Sequence, residues 1–521
     1  MCLVLQHWLR KNFAMKKIIS LSIIMSLLFS VFAQKKNDSL YKEKYRPQFH
    51  FTPAINWTND PNGLVYYKGE YHLFYQHNPF GNVWGHMSWG HAISKDLVHW
   101  KQLPIAIREE NGVMIFSGSC VIDEKNTSGF AKNSSQTPMV AIYTGHYIPD
   151  SSKKDNYFQA QYIAYSLDDG ITWKKYENNP VLDLHKKDFR DPCVFWYEPE
   201  KKWVMALVLP KEHIVQFYSS LNLKEWNHMS DFGPAGDTSD IWECPSLTKV
   251  PEENNPTKIK WVLFNSVQST MQYFVGGFDG TKFTNENPSE KIYRPDYGTD
   301  YYAAIVYTHL SIYHKPVLLG WANNWKYAND IPVSPWKSAM ALPRTLSLKQ
   351  NNNEWILNQQ PISALTLLRK ELWEEKNISV NEKKLLPLKS QQAEIELSWK
   401  PSKQSVSGID LAVGKTNFIA IGYDEGKQKI FIDRFKAGDT SFNKNFASLS
   451  YSENLLKTKN GKIYLHVFFD NSIVEVFAND GTCVMTTQIF PEKNNNSIEL
   501  FSNSVVNYFD DVKIWQLKSA W

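Results

Sequence analysis

Three acids stand at the head of aromatic segments in this chain: Asp60 in "WTNDPNG", Asp191 in "RDP" and Glu243 in "ECP". Asp, Pro, Asn and Gly are ordinary turn residues, so one such stretch reads first as a turn. The segments that follow share a plan, however. "DPNGLVYYKGEYHLFYQ" from Asp60 runs acid, turn, strand, tight turn, aromatic strand. "DPCVFWYEPEKKWVMALV" from Asp191 repeats it, and "ECPSLTKV" with "IKWVLFNS" repeats it from Glu243. Turn acids at unrelated places have no reason to share such a plan. Carboxyl groups gathered in one pocket and held in different protonation states suit cleavage of a glycosidic bond. One protonates the leaving oxygen while the other attacks or positions water.

The elements that must position these acids are strands. Short apolar and aromatic runs bounded by Gly, Pro, Asn and Asp dominate, which predicts an all-β fold. Two further units have altered openings, "FSGSCVID" from Phe116 and "DYYAAIVY" from Asp300, so the units start at 60, 116, 191, 243 and 300. Outer strands recur too, with "SKDLVHW", "SLDDGITW" and "SSLNLKEW" ending at Trp100, Trp173 and Trp226, and "FDGTKF" at Phe283. Repeats of this size with about four strands each predict propeller blades around a central axis. Five units mean a five-bladed β-propeller over 45–355, with the three acids facing one funnel. Residues 356–378 read as a linker or short helix. From 379 to 521, half-apolar strands such as "AEIELSW", "NFIAIGYD" and "IYLHVFFDNSIVEVFANDG" predict a β-sandwich of structural or accessory role.

Composition narrows the function. The formal charge is +4 over 521 residues, and residues 1–33 hold Arg10, Lys11, Lys16 and Lys17 without an acid. The remainder is near neutral and shows no basic face of the kind a nucleic-acid partner needs. Aromatics, 19 Trp, 26 Tyr and 29 Phe, suit strands and also flat surfaces for sugar rings. From Met15, a basic start, an apolar-rich run over 18–32 and Val-Phe-Ala have the shape of an export leader cleaved after Ala33. The run is short for a spanning helix. The reading is therefore an exported protein, periplasmic or extracellular, with no stable membrane insertion once the leader is removed. Cys120, Cys193, Cys244 and Cys483 are too few for a disulfide scaffold in a chain of this length and read as buried free thiols. His77, His86, His91 and His99 lack ligand-like spacing, so neither a metal nor a cofactor is implied.

Local chemistry suggests how the acids divide the work. Asn59 and backbone donors can keep Asp60 ionised as a nucleophile. Burial beside Trp242 and near a second negative group is expected to hold the proton on Glu243 as acid/base. Arg190 favours the charged form of Asp191, which can bind hydroxyls and stabilise positive charge developing on the sugar.

"WTNDPNG", "FYQHNP", "FSGS", "RDP", "ECP" and "GWANNW", in this order, resemble glycoside hydrolase family 32, the β-fructosidases: invertases, exo-inulinases and levanases. The likeness runs from about residue 46 to 345, and "FFDNSIVEVFANDG" resembles that family's C-terminal sandwich. It implies a five-bladed propeller and a retaining mechanism, with Asp60 as nucleophile, Asp191 as transition-state stabiliser and Glu243 as acid/base. It also implies substrate contacts from Trp57, Asn59, Gln76, Trp84, Phe116, Ser117, Arg190 and Trp321. The first motif departs from the family only at Thr58, beside the site. The expected partner is a fructose-containing oligo- or polysaccharide. The alternatives are a fructosyltransferase using the same site, a fructan-binding propeller without turnover, and an inverting pentosidase on a five-bladed propeller.

Overall fold

The computed structural model describes residues 40–149, 155–267, 269–310, 315–452 and 460–521; the leader read at 1–33 lies outside the described residues. From Pro47 to Trp521 the chain forms one unit. Five strands form its central ring: Asn56–Tyr67, Val113–Ile122, Arg190–Tyr197, Trp242–Glu252 and Tyr302–Val306. Each packs beside the next, and the fifth packs beside the first. Antiparallel strands extend outward from each. The first blade, for example, continues through Glu70–Asn78, Ser88–Ser94 and Trp100–Ile107. The short strand Trp336–Lys337, which follows the fifth blade's second strand, pairs in parallel with Asn56 and Trp57 and so fastens the last blade to the first.

The outward turns repeat as their sequences do. Ser94, Ser166 and Ser220 accept from the backbone N–H of Leu97, Gly170 and Leu223 at 2.8, 2.9 and 2.8 Å. Such side-chain bonds let a turn replace the ladder. Apolar side chains fill the seams between blades; between the second and third, Val140, Ile142 and Ile163 meet Val194, Met205 and Leu207. At about 1.5–3 kcal/mol for each fully buried large aliphatic side chain, such seams hold the ring rigid.

Every inner strand carries a β-bulge at the same height. The ladder skips from Thr58 to Pro61, Ile115 to Gly118, Arg190 to Cys193, Glu243 to Ser246 and Tyr302 to Ile305. A bulge leaves residues unpaired and re-aims their side chains. Prolines are tolerated there because no ladder N–H is required, which accounts for Pro192 and Pro245 after Asp191 and Cys244. Asp191, Cys244 and Ala303 occupy the left-handed region, with φ of 66°, 49° and 52°. In "DPNG" the glycine is needed for shape. Gly63 has φ +53°, and a Cβ there would lie 2.8 Å from the Phe74 ring.

The stretch expected as a linker, 356–378, is mostly strand. Glu354–Pro361 pairs with Arg344–Asn351 as the outer edge of the fifth blade, and Arg369–Leu385 pairs with Ser497–Leu517. Only a 3-10 helix, Ser363–Leu368, lies between them. The strand Ser497–Leu517 runs through both layers of the sandwich. Its first part pairs with Val406–Val413 and its last part with Gln392–Trp399. Ile395, Leu397, Ile409, Ile421, Val467 and Ile514 fill the core between the layers.

Candidate active site

The bulges deliver their side chains to one end of the ring, where a cavity of about 340 Å³ opens to solvent. Asp60, Asp191 and Glu243 all line it. They do not occupy one register, however. Thr58, Ile115, Arg190, Glu243 and Tyr302 are equivalent, each the last paired residue before its bulge. Asp191 shares the first bulge position with Cys244, and Asp60 shares the second with Ser117. The three acids reach the same floor from successive steps of the backbone.

Asp60 is buried; it accepts from Ser117 Oγ at 2.7 Å and from Asn59 Nδ2 at 3.0 Å. Burial pushes its carboxyl above the usual range, Ser117 opposes the rise, and the charge of Glu243 adds to it. Asp191 accepts from the Cys244 N–H at 3.0 Å, and its own N–H donates to Thr144 Oγ1 at 2.9 Å. Burial raises Asp191 as well, against the lowering field of Arg190. Desolvation thus outweighs the local donors at both aspartates, so both shift in the direction opposite to that expected from the flanking residues alone.

Glu243 is the least buried of the three. It accepts from Arg190 Nε at 3.1 Å and from the Tyr302 hydroxyl at 2.5 Å. The expected cover from Trp242 is absent because that ring faces outward, packing in the seam with Phe274 and donating to the Asp237 carbonyl at 2.7 Å. Arg190 also donates to Asp188 at 3.0 Å and to Gln159 at 3.3 Å, so one guanidinium fixes Glu243 and stands 3.9 Å from Asp191. Asp188, Asp191 and Glu243 thus surround one buried cation.

Residues 50–361 match the glycosyl hydrolases family 32 N-terminal domain, and residues 364–516 match the family 32 C-terminal domain. The chain belongs to glycosyl hydrolase family 32. It is 44% identical over 527 residues to a levanase of Bacillus subtilis (strain 168), covering 97% of this chain and 76% of that protein. It is 40% identical to an extracellular exo-inulinase of Aspergillus niger, covering 92% and 96%. Its fold is similar to the crystal structure of exo-inulinase from Aspergillus awamori, with a TM-score of 0.86 at 38% identity over 92% of this chain and all of that one. A β-fructofuranosidase from Schwanniomyces occidentalis, complexed with fructosyl-erythritol, gives 0.81 at 33% identity over 92% of this chain and 99% of that one. The five-bladed propeller and the sandwich described above span the residues matched by the two family domains.

Of the eight residues expected to contact substrate in this family 32 chain, six line the cavity: Asn59, Gln76, Trp84, Phe116, Ser117 and Arg190. Trp57 and Trp321 do not. Both are fully buried, and the ring on the wall is Trp325, with centroids 6.0 Å from Trp57 and 4.8 Å from Trp321. Trp57 also donates to Asn59 at 2.7 Å, and Trp321 to Ser338 at 2.9 Å. The pair therefore supports the wall from behind. The physical reason is the end of the strand Val317–Trp321: the last strand residue packs inward, and the turn after it brings Trp325 to the cavity.

Sequence reasoning also missed Tyr302, Asp240, Ile241 and Ser269 on the lining. Alignment of the five bulges could have found Tyr302, which holds the position of Glu243 in the next blade. All four cysteines among the described residues are free. The Cys244 thiol lies 3.5 Å from Asp60 Oδ2 and 3.7 Å from Asp191 Oδ2. Phe116 stacks on His146 at 4.5 Å, and burial pushes that imidazole down to about 4, so it presents a neutral ring.

Proposed function

We propose that this family 32 chain is an exported glycoside hydrolase that releases terminal β-D-fructose from fructans, levan and inulin, and from sucrose, with retention of configuration. The observation that carries the reading is the convergence of Asp60, Asp191 and Glu243 on the floor of one aromatic-walled cavity. Asp60 attacks the anomeric carbon while Glu243 protonates the leaving oxygen; a C–O bond to Asp60 forms as the glycosidic C–O bond breaks. Glu243, now a carboxylate, takes a proton from water, which displaces Asp60 and releases fructose. Asp191 holds sugar hydroxyls and faces the positive charge that develops on the ring.

Asp60 is suited to attack because Ser117 and Asn59 orient its oxygens. Glu243, half-buried and nearer solvent, is suited to meet leaving group and water in turn. The volume, about 340 Å³, is at the lower end for small-molecule sites and favours one terminal unit over an internal stretch of polymer. Relatives named extracellular support export, as does the leader-like segment. Retention requires carboxyl oxygens of Asp60 and Glu243 roughly 5–5.5 Å apart when substrate is bound.

Incubation with levan, inulin and sucrose, with products sized over time, tests the reading. Free fructose from the first time point onward is expected. Early oligosaccharide fragments would overturn terminal cleavage, and growth of longer sugars at high sucrose would show transfer in place of hydrolysis. No fructose from any of the three would leave a binding propeller.

A further inference from the structure

The cavity's two outer tryptophans are held from the sandwich. Trp325 stands on the turn after Val317–Trp321, within the segment 322–333. The same segment reaches into the first blade, where Asn329 Oδ1 accepts from the backbone N–H of Trp84 at 3.0 Å. Trp84 itself is 40% exposed at the mouth and meets Phe116 edge-on at 6.0 Å. One loop thus carries Trp325 and bonds the backbone at Trp84.

That loop is gripped at three points by sandwich residues. Arg434 is fully buried; it donates to the Tyr327 hydroxyl at 2.8 Å and to Asp300 at 2.6 Å. Tyr327 in turn donates to Asp300 at 2.5 Å, which closes a triangle of guanidinium, phenol and carboxylate. The Arg434 guanidinium also lies 4.0 Å over the Phe446 ring and donates to the Gln488 carbonyl at 3.1 Å. Gln488 Nε2 donates to the Ala322 carbonyl at 2.5 Å, where the loop begins. Asn443 Nδ2 donates to Asp330 at 2.6 Å, where it ends. A side chain so fully bonded in a low-dielectric setting resists displacement, because moving it strands several polar groups at once.

We propose that Arg434 is a positioning residue for substrate: through Tyr327 it fixes the loop that sets Trp325 on the cavity wall and, by way of Asn329, Trp84 at its mouth. The sandwich is then part of how the enzyme recognises the sugar beyond the cleaved bond, although none of its described residues lines the cavity. This rests on the fructosidase reading for its substrate, and on geometry alone for the coupling. A loosened wall leaves the acids in place, so the loss falls on binding more than on chemistry.

The test compares full-length wild type with Tyr327→Phe, which removes only the bridging hydroxyl, and with Arg434→Lys, whose point charge cannot reach both partners in the same plane. For inulin, KM is expected to rise about tenfold in both with kcat within about twofold. Hydrogen–deuterium exchange of peptides covering 322–333 and 79–86 is expected to quicken, while the five inner strands stay protected. Unchanged KM together with unchanged exchange in folded Tyr327→Phe overturns the proposal, as does an equal loss in kcat alone. Should Tyr327→Phe not fold, Asn443→Ala loosens the far end of the loop from the surface. It must then raise KM and quicken exchange at 322–333, and failure to do either overturns the proposal. If wild type releases no fructose, the substrate reading fails, and exchange still decides whether the sandwich holds the loop.

Discussion

Ser117 donates to Asp60 at 2.7 Å across the seam between the first two blades, and this bond opposes the burial that raises the acid. Replacing Ser117 with Ala leaves the burial and the charge of Glu243 and removes the opposing donor. The carboxyl of Asp60 then titrates at still higher pH, and the attacking form becomes scarcer on the acid side. The acid limb of kcat/KM should move upward, with activity on that limb falling about tenfold, and the gap should close toward alkaline pH. A pH–rate profile of wild type and variant checks this; coincident acid limbs would remove Ser117 from the ionisation of Asp60.

Glu243 is expected to serve both half-reactions, so its loss should be repairable in one of them. Glu243→Ala should lower kcat about 10²–10⁴-fold. Azide, which needs no general base, should restore turnover of a substrate with a good leaving group and yield fructosyl azide of retained configuration. NMR of that product decides the matter, since an inverted azide is incompatible with a covalent intermediate on Asp60.

Much of this was legible because a propeller repeats. Asp60, Asp191 and Glu243 could be joined without a structure, since each heads a strand that must face the axis. The one-residue offsets among them were not legible, because a bulge is a backbone event that strand patterning does not record. Trp321 and Trp325 show a second limit. Four residues apart in "GWANNW", they were separable only by knowing where the strand ends. The strand Arg369–Leu385 hid for a different reason: it is charged along most of its length and largely exposed, so it lacks the apolar alternation that marks a half-buried strand. Sandwich residues Arg434 and Gln488 carried no motif at all. Their importance comes from contacts with Asp300 and Ala322, which lie more than 130 positions away in the sequence.

The two tryptophan layers should separate experimentally. Trp325 forms cavity wall, whereas Trp57 is fully buried behind it and orients Asn59. Trp325→Ala should raise KM about tenfold with a fold of near wild-type stability. Trp57→Ala opens a void in a packed core and should cost about 3–5 kcal/mol of stability. Chemical denaturation beside steady-state kinetics distinguishes them, and equal destabilisation by both would merge the layers.

Stability, unlike activity, should have an alkaline limit set by His50. Its ring lies fully buried between two carboxylates, 2.7 Å from Asp470 and 3.2 Å from Glu475. Burial alone would push the imidazole down; hydrogen bonds to both acids and their charges carry it up to about 9. A group raised on folding stabilises fully below its unfolded value, near 6.5, and loses that contribution as pH rises through its folded value. The shift corresponds to about 3 kcal/mol, present below roughly pH 6.5 and lost between there and about pH 9–10. Glu475 is also bonded to Arg344 at 2.8 Å, so the same carboxylate ties the N-terminal segment, the fifth blade and the sandwich together. Urea midpoints of wild type should therefore fall from pH 6.5 to 10. His50→Gln, neutral throughout, should be less stable at pH 6.5 and nearly flat over the same range from this source. Parallel pH dependences for the two proteins would mean that the imidazole is not charged in the native state.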